Sequence, residues 1–184
     1  MIAHTSKTFL SKKSKSIIIR NLLMDDAEKL HSFFQKSAIE STHTLHYPGR
    51  DYPITKCKAR IETALNSSSE IFLGAFDNEK LIGQIYLRVP FFNHPWIKHI
   101  GEFGMIILKD YWGEGIGKEL LNLIEEYANI ISISRIEAKM RTSNERGLLL
   151  YKKMGYEIEG TRKKAAFING QFEDEFFIVK LLSH

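Results

Sequence analysis

The sequence predicts one α/β domain with a helix wedged between its central strands. Three observations lead there. Strand-sized apolar runs interleave with segments whose apolar residues recur at helical spacing. Two stretches, Asp77-Asn78-Glu79-Lys80 and Asn169-Gly170, carry turn chemistry between apolar runs, which marks hairpins. Tyr111 to Leu120, YWGEGIGKEL, sets three glycines on alternate positions just before an amphipathic run. At 184 residues the chain can bury a core without staples, and its 43% hydrophobic and 26% charged content is that of a globular domain.

Ser16-Ile17-Ile18-Ile19-Arg20 reads as a buried strand. Asp25 and Asp26 supply helix-start chemistry ahead of Ala27, Leu30, His31 and Phe34. Residues 41–55 hold two prolines and a glycine and read as a loop, after which Thr55 is placed to cap a second helix. Runs at 70–76 and 81–89 form the first hairpin, and a further strand covers about 99–108. Ile116, Leu120, Leu121, Ile124 and Ala128 then make an apolar stripe of helical period. A strand at 134–140 follows, then a helix from Asn144 that Gly155 closes. The last hairpin turns at Asn169-Gly170.

Residues 1–15 carry Lys7, Lys12, Lys13 and Lys15 with no acid before Asp25, and read as a flexible basic arm on a single domain spanning 16–184. No apolar h-region follows them, so a secretory signal is not expected, and the longest apolar runs, such as Met105 to Leu108, are too short for a membrane-spanning helix. Cys57 is the single cysteine, which excludes an internal disulfide and fits a reducing, cytoplasmic setting. The net charge of +4 gives a mild pull toward anions and does not establish nucleic-acid binding.

A helix start leaves its first N–H groups without internal partners, and glycines let an anion approach them. Lys118 adds a mobile positive charge. A Walker loop needs Ser or Thr after Gly117-Lys118, where Glu119 stands, and a dinucleotide fingerprint lacks its third glycine. An anion cradle and a ligand-free softened turn both remain.

The remaining motifs favour the cradle. GEFGMIILKDYWGEGIGKELL resembles the acetyl-CoA motif of the GCN5-related N-acetyltransferase (GNAT) family, with Gly115 and Gly117 on its two glycines and Trp112 where Arg or Gln is usual. RTSNERGLLLYKKMGYEIEG resembles the family's second signature, an Asn opening a helix with a Tyr seven residues on. YPGRDYPIT and AAFINGQFEDEFF resemble stretches of bacterial members related to the ribosomal-protein and small-molecule acetyltransferases. The likeness spans nearly all of residues 17–182. It implies a mixed, mostly antiparallel twisted sheet of about six or seven strands flanked by about four helices, splayed between its fourth and fifth strands (99–108 and 134–140).

The resemblance also implies an acetyl-CoA-dependent N-acetyltransferase, moving acetyl directly to a primary amine of a small molecule or peptide in a ternary complex. Gly113, Glu114, Gly115, Ile116, Gly117 and Lys118 would bind the pyrophosphate, and the backbone of Met105, Ile106 and Ile107 the pantetheine arm, with Ile107 N–H facing the thioester oxygen. Tyr151 would be the general acid. Asn144 would bond the cofactor arm, fix a water, or simply cap its helix. Glu102 is the candidate base, with an ion-paired strand-edge carboxylate as the rival reading and Glu137 as second choice. Tyr47, Arg50 and Tyr52 would touch substrate, and Glu173, Asp174 and Glu175 either attract a cationic amine or form a solvated strand end. His43 and His46 have the spacing of a zinc pair but no third ligand nearby in sequence, so no metal is expected. Phe91, Phe92 and Trp96 offer either a homodimer contact or a cover for the core. Two other readings stand beside the enzyme: a non-catalytic acyl-CoA-binding or regulatory module, and a basic RNA- or ribosome-binding module using the arm and Arg162-Lys163-Lys164.

Overall fold

The computed structural model describes residues 6–182. An eight-stranded sheet runs β1 (Ser6–Leu10), β2 (Ser16–Asn21), β3 (Glu70–Asp77), β4 (Lys80–Arg88), β5 (Ile100–Ile107), β6 (Arg135–Arg141), then β8 (Gln171–Leu181) with β7 (Glu157–Ile168) outermost. All neighbours are antiparallel except β5 and β6. Four α-helices flank it: α1 (Ala27–Glu40), α2 (Ile54–Leu65), α3 (Ile116–Ile130) and α4 (Glu145–Lys153).

Eight strands stand where six or seven were expected because residues 6–10, placed in a flexible arm, form β1. Ser6 to Leu10 pair in register with Arg20 to Ser16, and Ser14 turns the chain at φ 60°. Lys7 suits an edge strand, since a charged side chain there discourages further pairing. Residues 1–5 of the expected arm lie outside the described residues.

β3 is buried along Glu70–Phe76 because α-helices cover both faces of the central sheet, which explains its unbroken apolar run. Arg60 of α2 lies over the rings of Phe72 and Tyr86 on one face. On the other face Gly117 of α3 sits against Met105 and Ile107. Asp26 precedes α1 as expected, yet its carboxylate caps nothing in the helix. It accepts from the Leu23 N–H at 2.9 Å and pairs with Arg20. Helix α2 starts one residue before Thr55, at Ile54, directly after Pro53, and has no side-chain cap. The final hairpin turns at Asn169 and Gly170, with φ 50° and 81°, the left-handed pair that a tight two-residue turn requires.

Candidate active site

Strands β5 and β6 part company halfway along. Their parallel pairing runs only from Ile100–Arg135 to Glu102–Glu137, after which β6 continues beside β8 and β5 beside β4. Amide direction alternates along a strand. Leu108 N–H donates to Ile82 O at 2.9 Å, so Ile106 also faces β4, whereas Met105 and Ile107 turn their amides to the gap. The expectation for Ile106 is corrected accordingly: its backbone belongs to the β4 ladder. The Ile107 carbonyl accepts from the Trp112 indole N–H at 2.8 Å, leaving Met105 N–H and C=O and Ile107 N–H to the gap.

The gap leads to the glycine turn. Gly113 and Gly115 have φ of 80° and 92°, a backbone that L side chains resist. Among the described residues the N–H groups of 113–117 make no hydrogen bond, while Gly115 C=O accepts from Lys118 and Glu119. Five successive free donors at a helix start are the chemistry an anion needs. A Cβ on Gly115 would meet nothing within 4 Å, so the approach is open. Gly117 has a different reason: its Cβ would lie 2.7 Å from Leu150 Cδ2, and its absence lets α4 press on α3.

Two cradle residues contribute backbone only. The Ile116 side chain is core. Glu114, 2% exposed, turns its carboxylate away from the open side to the β1–β2 turn, where Ser11 Oγ donates at 2.8 Å, Lys13 Nζ stands at 3.1 Å and the Lys12 N–H reaches Glu114 O. Burial opposes its charge, but Ser11 and Lys13 hold its carboxyl below the ordinary range. Lys118 is exposed. A cation that the motifs did not reveal stands at the turn: Arg146 of α4, 5.2 Å above the Trp112 ring, with Nη1 3.6 Å from where a Gly113 Cβ would be.

A cleft of about 690 Å³ passes along the parted strands. Tyr151 lines it, packed edge-on against Phe103 and Tyr156 at 5.7 Å each, and burial pushes its phenol above the ordinary value, so it keeps its proton. Asn144 also lines the cleft and caps α4, its Oδ1 accepting from Gly147 N–H at 3.0 Å, so the expected cap is present. Glu102 is at the mouth, half exposed, with Arg88 Nη2 at 3.0 Å. The ion pair of the rival reading is therefore present, and its partner is an arginine. Glu137 beside it is held by Arg135 at 2.8 Å.

On the α1–α2 side, Arg50 and Tyr52 line the cleft, but Tyr47 is 62% exposed and outside it. Sequence reasoning missed Arg60, Gln84, Tyr86 and Arg88, which line the same side. The alternation of Gln84, Tyr86 and Arg88 along one strand was the available signal, since polar residues at a shared face of a central strand demand a wet or liganded neighbour. His46 stacks on Phe34 with ring centres 4.0 Å apart. Burial first, then Arg50, lowers its pKa to about 4. His43 faces Ser143 instead. Among the described residues no three His, Cys, Asp or Glu side chains gather as a metal site.

Glu173 and Glu175 pair with Arg141, and Asp174 with Lys163 at 2.9 Å, so the acidic strand end is internally neutralised. Burial raises the Cys57 thiol to about 11, an inert core position. Phe91, Phe92 and Trp96 are exposed. Among the described residues no helix is long and apolar enough to cross a membrane.

A parted sheet beside a helix start with free backbone donors is the arrangement on which the comparisons with known proteins bear. The family model for the acetyltransferase (GNAT) domain matches residues 19–177, and the chain belongs to that family. It is similar to the L-amino acid N-acetyltransferase AaaT of Escherichia coli K12, 30% identical over 97 residues, covering 52% of this chain and 60% of that protein. The spermidine N(1)-acetyltransferase of the same strain is 28% identical over 82 residues, covering 42% and 44%. The matches thus span about half the length of these relatives. Among solved structures, a GNAT-family acetyltransferase from Streptococcus pneumoniae superimposes with TM-score 0.84 at 28% identity, covering 91% of this chain and 99% of that one. The fold is also that of yncA, a putative acetyltransferase from Salmonella typhimurium solved with its cofactor acetyl-CoA (TM-score 0.79, 14% identity, 91% and 94% covered).

Proposed function

We propose that the chain is an acetyl-CoA-dependent N-acetyltransferase acting on a primary amine of a small molecule or peptide by direct transfer in a ternary complex. One observation carries the reading: Met105, whose amide faces the gap, lines one cleft with Tyr151, and the same strand runs on into the turn whose N–H groups at 113–117 are free among the described residues. Relatives whose names specify amino-acid and spermidine acetylation support an amine acceptor.

Acetyl-CoA supplies an activated acetyl thioester. The 113–117 donors, with Arg146 and Lys118, would hold its pyrophosphate, and Met105 and Ile107 its amide-bearing arm. Since Tyr151 packs on Phe103, the reacting end belongs at the inner end of the gap. Met105 N–H is then the better placed donor for the carbonyl oxygen, in place of Ile107. Tyr151 carries the proton for the leaving sulfur. Glu102 lies three residues, about 10 Å, along the strand from Met105, so it would receive the amine proton through water. A reducing, cytoplasmic setting is proposed on the same grounds as its unpaired, buried thiol.

Isothermal calorimetry with coenzyme A and a thiol-release screen over amines test the reading. Binding followed by release supports it. Binding without release from any amine favours an acyl-CoA-binding module, and no binding ends both. RNA binding that is salt-sensitive and indifferent to acetyl-CoA would favour the nucleic-acid reading.

A further inference from the structure

The acceptor side of the cleft has unfinished polar business. Gln84 is 4% exposed, lines the cleft and has no hydrogen-bond partner for Oε1 among the described residues. Arg60 gives one nitrogen to Glu70, while its Nη1 is buried without a partner. Such atoms are costly unless a ligand completes them. They are also neighbours. Arg60 lies 4.5 Å from the Phe72 ring centre and 5.3 Å from that of Tyr86. Gln84 is two residues along β4 from Tyr86 on the same face, a step of about 7 Å.

The charge balance gives the ligand a sign. Seven Lys and Arg side chains line the cleft against four Glu. Each of those four is already ion-paired with an arginine: Glu102 with Arg88, Glu137 and Glu159 with Arg135, and Glu175 with Arg141. Counting Glu70 beside Arg60 still leaves an excess of cations. A polyamine would meet that excess with no carboxylate to spare, whereas an anionic group finds a free guanidinium donor.

We infer that the acceptor is an amine that also bears a carboxylate, held so that Arg60 Nη1 takes the carboxylate and Gln84 Oε1 accepts from the amine end, with an apolar body among Phe34, Tyr52, Phe72 and Tyr86. This rests on the acetyltransferase reading and narrows its acceptor. The positive cleft selects a zwitterionic amino acid over its amide or a polycation.

The test compares phenylalanine, phenylalaninamide, phenethylamine and spermidine on the intact protein, by thiol release and by calorimetry in the presence of coenzyme A. One charge-assisted hydrogen bond is worth a factor of about 10–100, so phenylalanine should exceed the others in kcat/KM and in affinity by at least about 10-fold. Arg60→Gln should erase that preference chiefly through KM, and Gln84→Met should weaken all the small amines. Equal or better use or binding of the uncharged-tail amines or spermidine overturns the inference and leaves acetyl transfer standing. If no compound is turned over, equal binding of phenylalanine and its amide overturns it just as well. Failure to bind coenzyme A overturns the enzymatic reading and this inference with it. The wild-type ligand comparison depends on no variant's folding.

Discussion

Arg146 on α4 stands over the indole of Trp112, its guanidinium carbon 5.2 Å from the ring centre, while that indole N–H donates to Ile107 O at 2.8 Å. Trp112 occupies the place where the family motif usually has Arg or Gln. The tryptophan thus fixes the end of β5 and parks a cation from another helix beside Gly113. Arg146→Ala should weaken coenzyme A binding about 10-fold, the scale of one charge-assisted contact, and flatten its salt dependence. Calorimetry at two ionic strengths reads both effects, and unchanged affinity would remove Arg146 from the phosphate site.

Gly117→Ala should destabilise the fold by about 1 kcal/mol, since Leu150 Cδ2, the far end of a flexible side chain, has to move off the new Cβ. Pairing it with Leu150→Ala should recover part of the loss, since the two changes share one contact. Gly115→Ala meets no neighbour within 4 Å, so its cost is confined to the left-handed backbone, about 1–2 kcal/mol. Urea midpoints of the four variants distinguish packing from backbone strain.

Tyr151→Phe keeps the ring against Phe103 and Tyr156 and removes only the hydroxyl. With transfer rate-limiting, kcat should fall about 10²–10⁴-fold. Because burial raises the phenol pKa, the alkaline limb assigned to Tyr151 should lie above pH 10, where an ordinary tyrosine ionises. A variant with full kcat would exclude Tyr151 as the acid.

His46 should make stability acid-sensitive. Its pKa falls from 6.5 to about 4 on folding, so the unfolded chain takes up the proton first. The stabilising contribution is complete above pH 6.5 and declines from there to about pH 4. His46→Phe preserves stacking on Phe34 and should remove that decline, visible in denaturation midpoints between pH 7.5 and 4.5.

Much of the molecule was legible before folding. Period and turn chemistry placed the four helices and the strands from 16 onward within a few residues, and the glycine run with Asn144 and Tyr151 pointed to one region. Less visible was anything decided by distant pairing. Ser6–Leu10 has an unpromising lysine-bearing sequence and becomes a strand because β2 offers it an edge. Glu114 looked like a ligand contact but turns to Ser11, 103 positions away. Tyr47 sits in the correct loop with the wrong orientation, and Gln84, Arg60 and Arg88 come together only once β4 and α2 are stacked.

The stitch between Ser11, Lys13 and Glu114 makes the β1–β2 turn a structural support for the glycine turn at 113–117. Shortening a recombinant version to begin at residue 16 would strand a carboxylate in the interior directly beneath that loop. Constructions that look like harmless trimming would then register as poor coenzyme retention, a defect displaced in sequence by a hundred residues from its origin.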